Sequence, residues 1–371
     1  MELWMHGLSS DDPRGSLEGL KGMGFTAVVT GANEEYVKVA REVGLDTYVC
    51  TGTFSRSKEF QGEEFLAVDV EGKPREWFGS TCPNISEVRA ANLSRIESAL
   101  SETECDGLML DGCRFASPAS GLGALFTCFC PRCRREAEKM GLDFQRMEKD
   151  VRKVYRILAD GRLKSVPDIH GFSIMSKFSW LPGIADWLAF RRRCVIEHFE
   201  GVTDIVHQMG AEMGAYIFTP CLSPLVGQDY QDLSALLDVA SPMIYRNYPD
   251  DPGPACLNKE TAALARYVKR GGLKDLKAAG LVQGFLGLNE EGKTVSEIDA
   301  EASLESVEIE MTRASSLLKG VSKRIPILYL GDEQLEKSVQ AALEMDLEGV
   351  DLFVYKDEWT DAAERIAGNF S

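Results

Sequence analysis

An aspartate ends an apolar run near the middle of the first half of the chain, and an arginine comes three residues later. The run is Gly107–Asp111 and the arginine is Arg114. A carboxylate beside a fixed guanidinium is expected to have a lowered pKa and to stay ionised at neutral pH, which suits a nucleophile or a charge stabiliser. We therefore predict that Asp111 is catalytic. The alternative is that it caps the following turn or pairs with Arg114.

Cleavage of a glycosidic bond needs a second carboxyl group, kept protonated at roughly 5–10 Å from the first. Asp229 lies in a Gly- and Gln-containing segment directly after the fifth apolar run. Other candidates follow later runs: Asp332, Glu333, Asp357 and Glu358. Asp332 stands where a helix N-cap is expected. We favour Asp229 as the acid because its neighbours fit a loop better than a cap, and the other carboxylates remain alternatives.

Aromatic, guanidinium and amide side chains follow the sixth apolar run. They are Tyr245, Arg246, Asn247 and Tyr248. Sugar rings stack on aromatic faces while their hydroxyls bond to such polar groups, so this segment favours a carbohydrate subsite. Further substrate-binding residues are expected from other loops: Asp69, Trp77, Arg114, Trp180 and Glu358, with Trp359 on the same side. For each tryptophan the alternative is a partly buried loop anchor.

Three thiols stand at C-x-C-x-x-C spacing in the segment Cys128–Cys133. Closely spaced thiols suit a structural Zn2+ ion, with Cys82 or Cys113 as the fourth ligand. The ligands predicted from spacing are Cys128, Cys130 and Cys133, and buried free thiols are the alternative. No cofactor is expected to be needed for catalysis.

Several other chemistries lack their motifs. The four histidines form no H-E-x-x-H set, and no G-x-S-x-G elbow occurs. The segment after the first apolar run is not G-x-G-x-x-G, and no G-x-x-x-x-G-K-[ST] is found. These absences disfavour a histidine metal centre, a serine hydrolase and a nucleotide-binding open sheet.

The elements that must position these residues form a repeated pattern of a short apolar run followed by an amphipathic helix, which is typical of parallel βα units. Eight runs can be counted: Leu3–Met5, Phe25–Thr30, Thr47–Thr51, Gly107–Asp111, Met213–Phe218, Asp238–Tyr245, Ile325–Leu330 and Val350–Tyr355. We predict an α/β fold, a single (β/α)8 TIM barrel over residues 1–371. Long insertions at about 54–82 and 112–183, after the third and fourth strands, would form part of the cleft at the C-terminal ends of the strands.

The composition limits the partners. The chain has 371 residues and a formal charge of −17, so attraction to nucleic acid or to an anionic membrane surface is not expected. No apolar run approaches the ~20 residues that cross a bilayer, and the start of the chain lacks the pattern of a signal peptide. We expect a cytoplasmic protein with a small-molecule carbohydrate substrate, and the oligomeric state stays open.

Several motifs together resemble the glycosidase-like TIM-barrel families that are distantly related to the β-galactosidase and α-amylase types. They are Ala67–Lys73, Thr81–Asn84, Asp106–Asp111 with Arg114, Cys128–Cys133, Val226–Tyr230 and Ser241–Arg246. The resemblance implies that the acid at the end of the fourth strand, Asp111, is catalytic. The chain departs from the β-galactosidase pattern because that strand end lacks an Asn-Glu pair.

Three hypotheses follow. The first is a glycoside hydrolase that acts on a small oligosaccharide or glycoconjugate, with Asp111 as nucleophile or base and Asp229 as acid. The second is a non-catalytic carbohydrate-binding barrel. The third is a hydrolase or lyase that uses a metal ion held at the mouth by Asp111 and Asp69.

Overall fold

Eight parallel strands close into a barrel in the computed structural model, which describes residues 2–165, 181–248, 255–354 and 359–368. The strands are β1 Glu2–His6, β2 Ala27–Thr30, β3 Asp46–Gly52, β4 Gly107–Asp111, β5 Glu212–Phe218, β6 Val239–Met243, β7 in two short segments, Lys323–Arg324 and Ile327–Tyr329, and β8 Gly349–Phe353. Each strand pairs with the next along the chain. The sheet closes where β8 pairs with β1, with Glu2 opposite Gly349 and His6 opposite Phe353. The predicted (β/α)8 fold is confirmed.

Helices surround this barrel. They are α1 Pro13–Gly22, α2 Glu34–Val43, α3 Ser86–Thr103, α4 Leu122–Leu125, α5 Pro131–Lys139, α6 Phe144–Ala159, α7 Pro182–Gln208, α8 Ser223–Val226, α9 Tyr230–Leu233, α10 Leu257–Arg270, α11 Asp275–Leu286, α12 Val295–Ala300, α13 Leu304–Leu317, α14 Leu335–Glu344 and α15 Thr360–Ala367. Short 3-10 helices occupy Glu63–Phe65, Pro118–Ser120 and Arg162–Ser165. None of the helices in the described ranges is long and apolar enough to cross a membrane.

Local sequence sets where these helices begin and end, as α2 illustrates. The Asn33 side chain accepts a hydrogen bond from the Tyr36 backbone N–H, and two glutamates occupy the first turn. Both features stabilise a helix N-terminus. The helix ends at Gly44 in the left-handed conformation (φ 88°), which glycine adopts without steric cost.

Alternation along the strands decides which side chains reach the barrel interior. On β4, Leu108 and Leu110 pack into the core between strands and helices, whereas Met109 belongs to the core inside the barrel. Because successive side chains point to opposite faces, Asp111 shares the inward face with Met109. The period of two therefore places the Asp111 carboxyl inside the barrel, at the C-terminal end of its strand.

Two long segments follow β3 and β4. The first, residues 53–85 (the β3 segment), contains a hairpin of Ala67–Val68 and Pro74–Arg75. The second, residues 112–165 and 181 in the described part (the β4 segment), contains α4 to α6. Backbone hydrogen bonds join the two: Phe129 N–H donates to Val68 O at 2.8 Å, and Val70 N–H donates to Phe126 O at 3.2 Å. These segments are thus packed together over one side of the barrel mouth.

Candidate active site

A cavity of about 240 Å3 opens at the C-terminal ends of the strands. Its polar and aromatic wall includes His6, Asp111, Arg114, Tyr216, Tyr245 and Phe353, which come from or directly after five different strands. Trp77 and Phe78 complete the wall from the β3 segment. The structure therefore brings together four of the residues chosen from sequence: Asp111, Arg114, Tyr245 and Trp77. We call this space the mouth cavity.

The electrostatic prediction for Asp111 is wrong in its direction. Burial raises the pKa of the Asp111 carboxyl, and the opposing effects of the Arg114 charge and the Gly112 N–H do not reverse the shift. The Arg114 guanidinium donates to Phe115 O at 3.1 Å, and no ion pair joins it to Asp111 among the described residues. A raised pKa favours the protonated carboxyl, so Asp111 suits a general acid better than a nucleophile.

The Arg114 guanidinium is held between aromatic rings. It lies 4.9 Å from the Trp77 ring centroid and 4.8 Å from that of Phe218. These cation–π contacts stabilise a buried charge without neutralising it. Among the described residues only one guanidinium N–H group of Arg114 has an acceptor, so its other donors can bind a ligand hydroxyl at the cavity wall.

A hydrogen-bonded chain crosses the barrel interior next to Asp111. The Tyr216 hydroxyl on β5 donates to Asp351 Oδ2 on β8 at 2.8 Å and is also hydrogen-bonded to His6 Nδ1 on β1. Asp351 is fully buried, and its other oxygen has no hydrogen-bond partner among the described residues. Burial raises the pKa of Asp351 to about 7 and lowers the pKa of His6 to about 4.

This chain fixes the tautomer of His6. A tyrosine hydroxyl has one proton, and here it goes to Asp351, so the bond to His6 requires that Nδ1–H donates to the Tyr216 oxygen. The Nε2 atom then carries the lone pair. Because its pKa is low, the ring is neutral at pH 7, and His6 can accept a proton from a group in the mouth cavity.

Phe78 forms an aromatic edge of the cavity. Its side chain is 52% exposed, in contrast to the 5% exposure of neighbouring Trp77. Its φ is 46°, a backbone conformation that is unusual for a bulky residue. Since one face of the Trp77 ring is already covered by Arg114, Phe78 is the better stacking surface for a ligand in the β3 segment.

Asp229 is not in the mouth cavity, and its interpretation as a loop carboxylate is corrected. It is the N-cap of α9: its side chain accepts from the backbone N–H groups of Gln231 at 3.0 Å and Asp232 at 3.1 Å. Arg192 also pairs with it at 3.3 Å. The carboxylate satisfies the open N–H groups of a helix, so it is not placed to act with Asp111.

Arg246 and Asn247 are also corrected, because neither lines the cavity. The Arg246 guanidinium is buried, donates to both carboxylate oxygens of Asp332 (Nε to Oδ2, 2.9 Å) and contacts Glu301. The Asn247 side-chain oxygen accepts from Ala302 N–H at 3.1 Å. We call Arg246, Glu301 and Asp332 the Arg246 cluster. Its polar groups bind one another and hold loops together.

Asp69 has a local role in the β3 segment. It is fully buried, accepts from the backbone N–H groups of Glu71 and Lys73, and pairs with Arg75 at 2.6 Å. It does not line the cavity, so the expected substrate contact is corrected, and a metal held jointly by Asp69 and Asp111 does not fit. Trp180 and Glu358 lie outside the described residues.

The three predicted cysteine ligands meet in space. Their sulfur atoms gather with that of one further cysteine in a buried group, the cysteine cluster: Cys82, Cys128, Cys130 and Cys133. Of the two candidates for a fourth member, the structure selects Cys82. Cys113 is buried elsewhere.

Sequence reasoning missed five residues of the site, namely His6, Phe78, Tyr216, Asp351 and Phe353. The rule that strand ends face the cavity could have found four of them, because they lie at or near the C-terminal ends of β1, β5 and β8: His6, Tyr216, Asp351 and Phe353. That rule was applied to carboxylates that follow strands rather than to inward-facing positions within them. No feature of the sequence around Phe78 indicates that this residue lines the cavity.

No family model matches the chain, and no curated protein matches its sequence. Solved structures with a similar arrangement of elements do exist, at low identity. One is the spore cortex-lytic enzyme SleL of Bacillus megaterium, with 10% identity and a TM-score of 0.43, over 100% of this chain and 74% of that one. Another is a β-galactosidase from Rahnella sp. R3, with 11% identity and a TM-score of 0.43, over 95% and 70%.

A third similar structure is the 3-keto-D-glucoside 4-epimerase YcjR of Escherichia coli, with 12% identity and a TM-score of 0.38, over 99% of this chain and 98% of that one. All three likenesses are distant. The assignment of the (β/α)8 fold rests on the strand pairing of the chain itself.

Proposed function

We propose that the chain is a carbohydrate-active enzyme that hydrolyses a glycosidic bond in the mouth cavity. The observation that carries this proposal is the pairing, in one cavity, of a carboxyl group with a raised pKa and a histidine with a lowered one. Two titratable groups whose environments push their pKa values in opposite directions are suited to opposite halves of acid–base catalysis.

In the proposed reaction the Asp111 carboxyl gives its proton to the glycosidic oxygen as the bond between that oxygen and the anomeric carbon breaks. A water molecule forms the new bond to the anomeric carbon and loses a proton to His6 Nε2. Tyr216 and Asp351 hold the His6 ring in the required tautomer. The products are a free sugar and an alcohol, and the histidine later returns the proton to Asp111 through solvent.

The cavity suits a small, uncharged sugar. Aromatic side chains form much of the wall, and they offer faces or edges to the C–H groups of a sugar ring: Trp77, Phe78, Tyr245 and Phe353. The N–H donors of Arg114 that have no acceptor in the described part of the chain can bind ring hydroxyls. The formal charge of −17 also disfavours anionic substrates at long range.

The experiment compares leaving groups in the variant Asp111→Asn. On alkyl glycosides, whose leaving oxygen needs a proton, we expect kcat to fall by about 10²–10⁴-fold, the typical contribution of a general acid. On dinitrophenyl glycosides, which leave as stable anions, we expect a much smaller fall. The measurement is steady-state hydrolysis over a panel of sugars, with circular dichroism and a melting curve to show that the variant is folded.

The matched control is Asp229→Asn, which changes a carboxylate of the same type outside the cavity. We expect unchanged kcat with both classes of glycoside and a loss of stability below about 1 kcal/mol, because asparagine caps a helix about as well as aspartate and only the charge is lost. Equal loss of activity with both classes of leaving group in Asp111→Asn would assign Asp111 a nucleophilic role. A folded, fully active Asp111→Asn variant would refute the proposed reaction.

A further inference from the structure

The cysteine cluster has the dimensions of a site for a single metal ion. All four sulfur atoms lie within 4.8 Å of one another, with Cys82 Sγ 3.8 Å from Cys130 Sγ and 3.5 Å from Cys133 Sγ. A tetrahedral Zn2+ ion with Zn–S bonds of about 2.3 Å separates its sulfur ligands by about 3.8 Å. A disulfide would need about 2.05 Å. The four thiols are free, and their spacing is that of four ligands around one ion.

The backbone presents these sulfurs in a pattern that suits metal binding. Cys130 is the N-cap of α5, and Cys133 lies in its first turn, where its N–H donates to Cys130 Sγ at 3.4 Å. Val68 N–H donates to Cys128 Sγ at 3.3 Å. Amide groups that point at sulfur stabilise thiolate charge and orient the ligand.

Asn84 extends this outer layer of hydrogen bonds. Its Nδ2 donates to Cys133 Sγ at 3.3 Å, and its Oδ1 accepts from Arg89 Nη2 at 3.0 Å. The second bond fixes which end of the amide faces the cluster. A donor is therefore held against one of the sulfur atoms.

A buried arginine near the cysteine cluster also favours a metal site. Arg191 is fully buried, and its guanidinium donates to the carbonyl of Thr127, the residue before Cys128, from Nε at 3.0 Å and Nη2 at 2.6 Å. Within the described ranges no carboxylate pairs with Arg191. A buried cation without a counter-charge is costly, and a Zn2+ ion with four thiolates has a net charge of −2 that would balance it.

We propose that the cysteine cluster holds one structural Zn2+ ion that fastens the β3 segment to the β4 segment. Binding would displace the thiol protons to solvent and form four Zn–S bonds. Cys82 comes from the β3 segment, and the other three ligands come from the β4 segment. Since the β3 segment supplies Trp77 and Phe78 to the mouth cavity and the β4 segment supplies Arg114, the ion would hold the two sides of the cavity wall together.

The test measures metal directly, so it does not depend on the proposed function. The protein and two variants, Cys82→Ala and Cys113→Ala, are purified without added metal and analysed for zinc and iron per chain. We expect one zinc in the unaltered protein and in Cys113→Ala, whose thiol is buried outside the cluster, and none in Cys82→Ala. Equal zinc in Cys82→Ala, iron in place of zinc, or a disulfide within the cluster by mass spectrometry would overturn the proposal.

A second measurement covers the case in which Cys82→Ala does not fold. The unaltered protein is stripped of metal by a chelator and titrated with Co2+, and its visible and near-ultraviolet spectrum is followed. We expect the intense thiolate-to-cobalt and tetrahedral d–d bands to saturate at one equivalent and to disappear when Zn2+ is added. Absence of these bands would refute the site whatever the variant does.

Discussion

Two groups of charged side chains lie at the same end of the barrel, and they differ in whether their charges are paired. In the Arg246 cluster, the buried Arg246 guanidinium binds both oxygens of Asp332 and also contacts Glu301. In the mouth cavity, Asp111 has no ion pair among the described residues, and the nearby Arg114 lies between aromatic rings. Both groups consist of aspartate and arginine side chains, with a glutamate in the Arg246 cluster, but only the mouth cavity has a carboxyl group that can donate or accept a proton.

The difference shows that a carboxylate at a strand end can act in proton transfer when it has no guanidinium partner. A carboxylate bound by a bidentate guanidinium stays ionised, and its role is to join loops. A carboxylate that is shielded from solvent without such a partner has a raised pKa, as for Asp111 and Asp351, and the pKa of Asp351 rises to about 7.

The largest effect that tests this comparison is expected from Arg246→Leu. The substitution leaves Asp332 buried beside no cation, so we expect the free energy of unfolding to fall by about 3–5 kcal/mol. The kcat of the folded fraction should stay unchanged, because Arg246 does not line the cavity. Urea unfolding and steady-state kinetics give the two quantities.

A matched control is Arg192→Leu, since Arg192 also pairs with an aspartate through two bonds, to Asp232, but is 46% exposed. Exposed pairs contribute less than about 1 kcal/mol, so this variant should lose little stability. If Arg246→Leu lost activity at unchanged stability, Arg246 would belong to the substrate site, as the sequence predicted.

Asp351→Asn tests the effect of a buried carboxyl group without an ion-pair partner on the pH dependence of stability. Burial raises the pKa of Asp351 from 3.8 to about 7, so between these values the native state holds a proton that the unfolded state has lost. Stability from this group is present at low pH and is lost as pH rises through about 7. The shift corresponds to a loss of up to about 4 kcal/mol, which the uncharged asparagine does not suffer.

We therefore expect the unfolding free energy of Asp351→Asn, relative to the unaltered protein, to increase by up to about 4 kcal/mol between about pH 4 and pH 8. Urea unfolding at several pH values measures this difference. A companion variant, Tyr216→Phe, keeps the carboxylate and removes a hydrogen bond that lowers its pKa, so its pH dependence should be at least as large as that of the unaltered protein. Parallel stability curves for Asp351→Asn and the unaltered protein would show that Asp351 is ionised throughout.

The fold was accessible from sequence because its signal is local. Each strand is a short apolar run covered on both faces, and Asp111 could be placed in the cavity from its position at the end of β4 alone. The apolar run Leu281–Leu288 shows the limit of such local patterns. Its glycines favour a short strand or a loop, but most of the run lies in α11, where Gly284 has open space around it and does not interrupt the helix.

The hydrogen-bond partners of the polar side chains could not be predicted from local sequence patterns. Arg246 meets Asp332 across 86 residues, and Tyr216 meets Asp351 across 135, so each pairing depends on how distant loops or strands approach. Residue type alone left Arg246 and Arg114 equivalent as sugar ligands. The prediction that Asp229 lies in a loop was wrong because the helix that it caps has only four residues, too few to show a helical pattern in the sequence.

The smallest effect is expected from Phe78→Ala, which tests whether an aromatic side chain of the mouth cavity stacks on the sugar. A stacking contact between aromatic ring and sugar contributes about 0.5–1.5 kcal/mol, so we expect KM to rise roughly twofold to tenfold while kcat changes little. Phe285→Ala is the control, because Phe285 is exposed to the same degree, 50% against 52%, on α11 away from the cavity. Since both side chains are about half exposed, neither variant should lose much stability. An equal change of KM in the two variants, or none in Phe78→Ala, would mean that the β3 segment contributes no stacking surface and that the sugar is held by the strand-end residues alone.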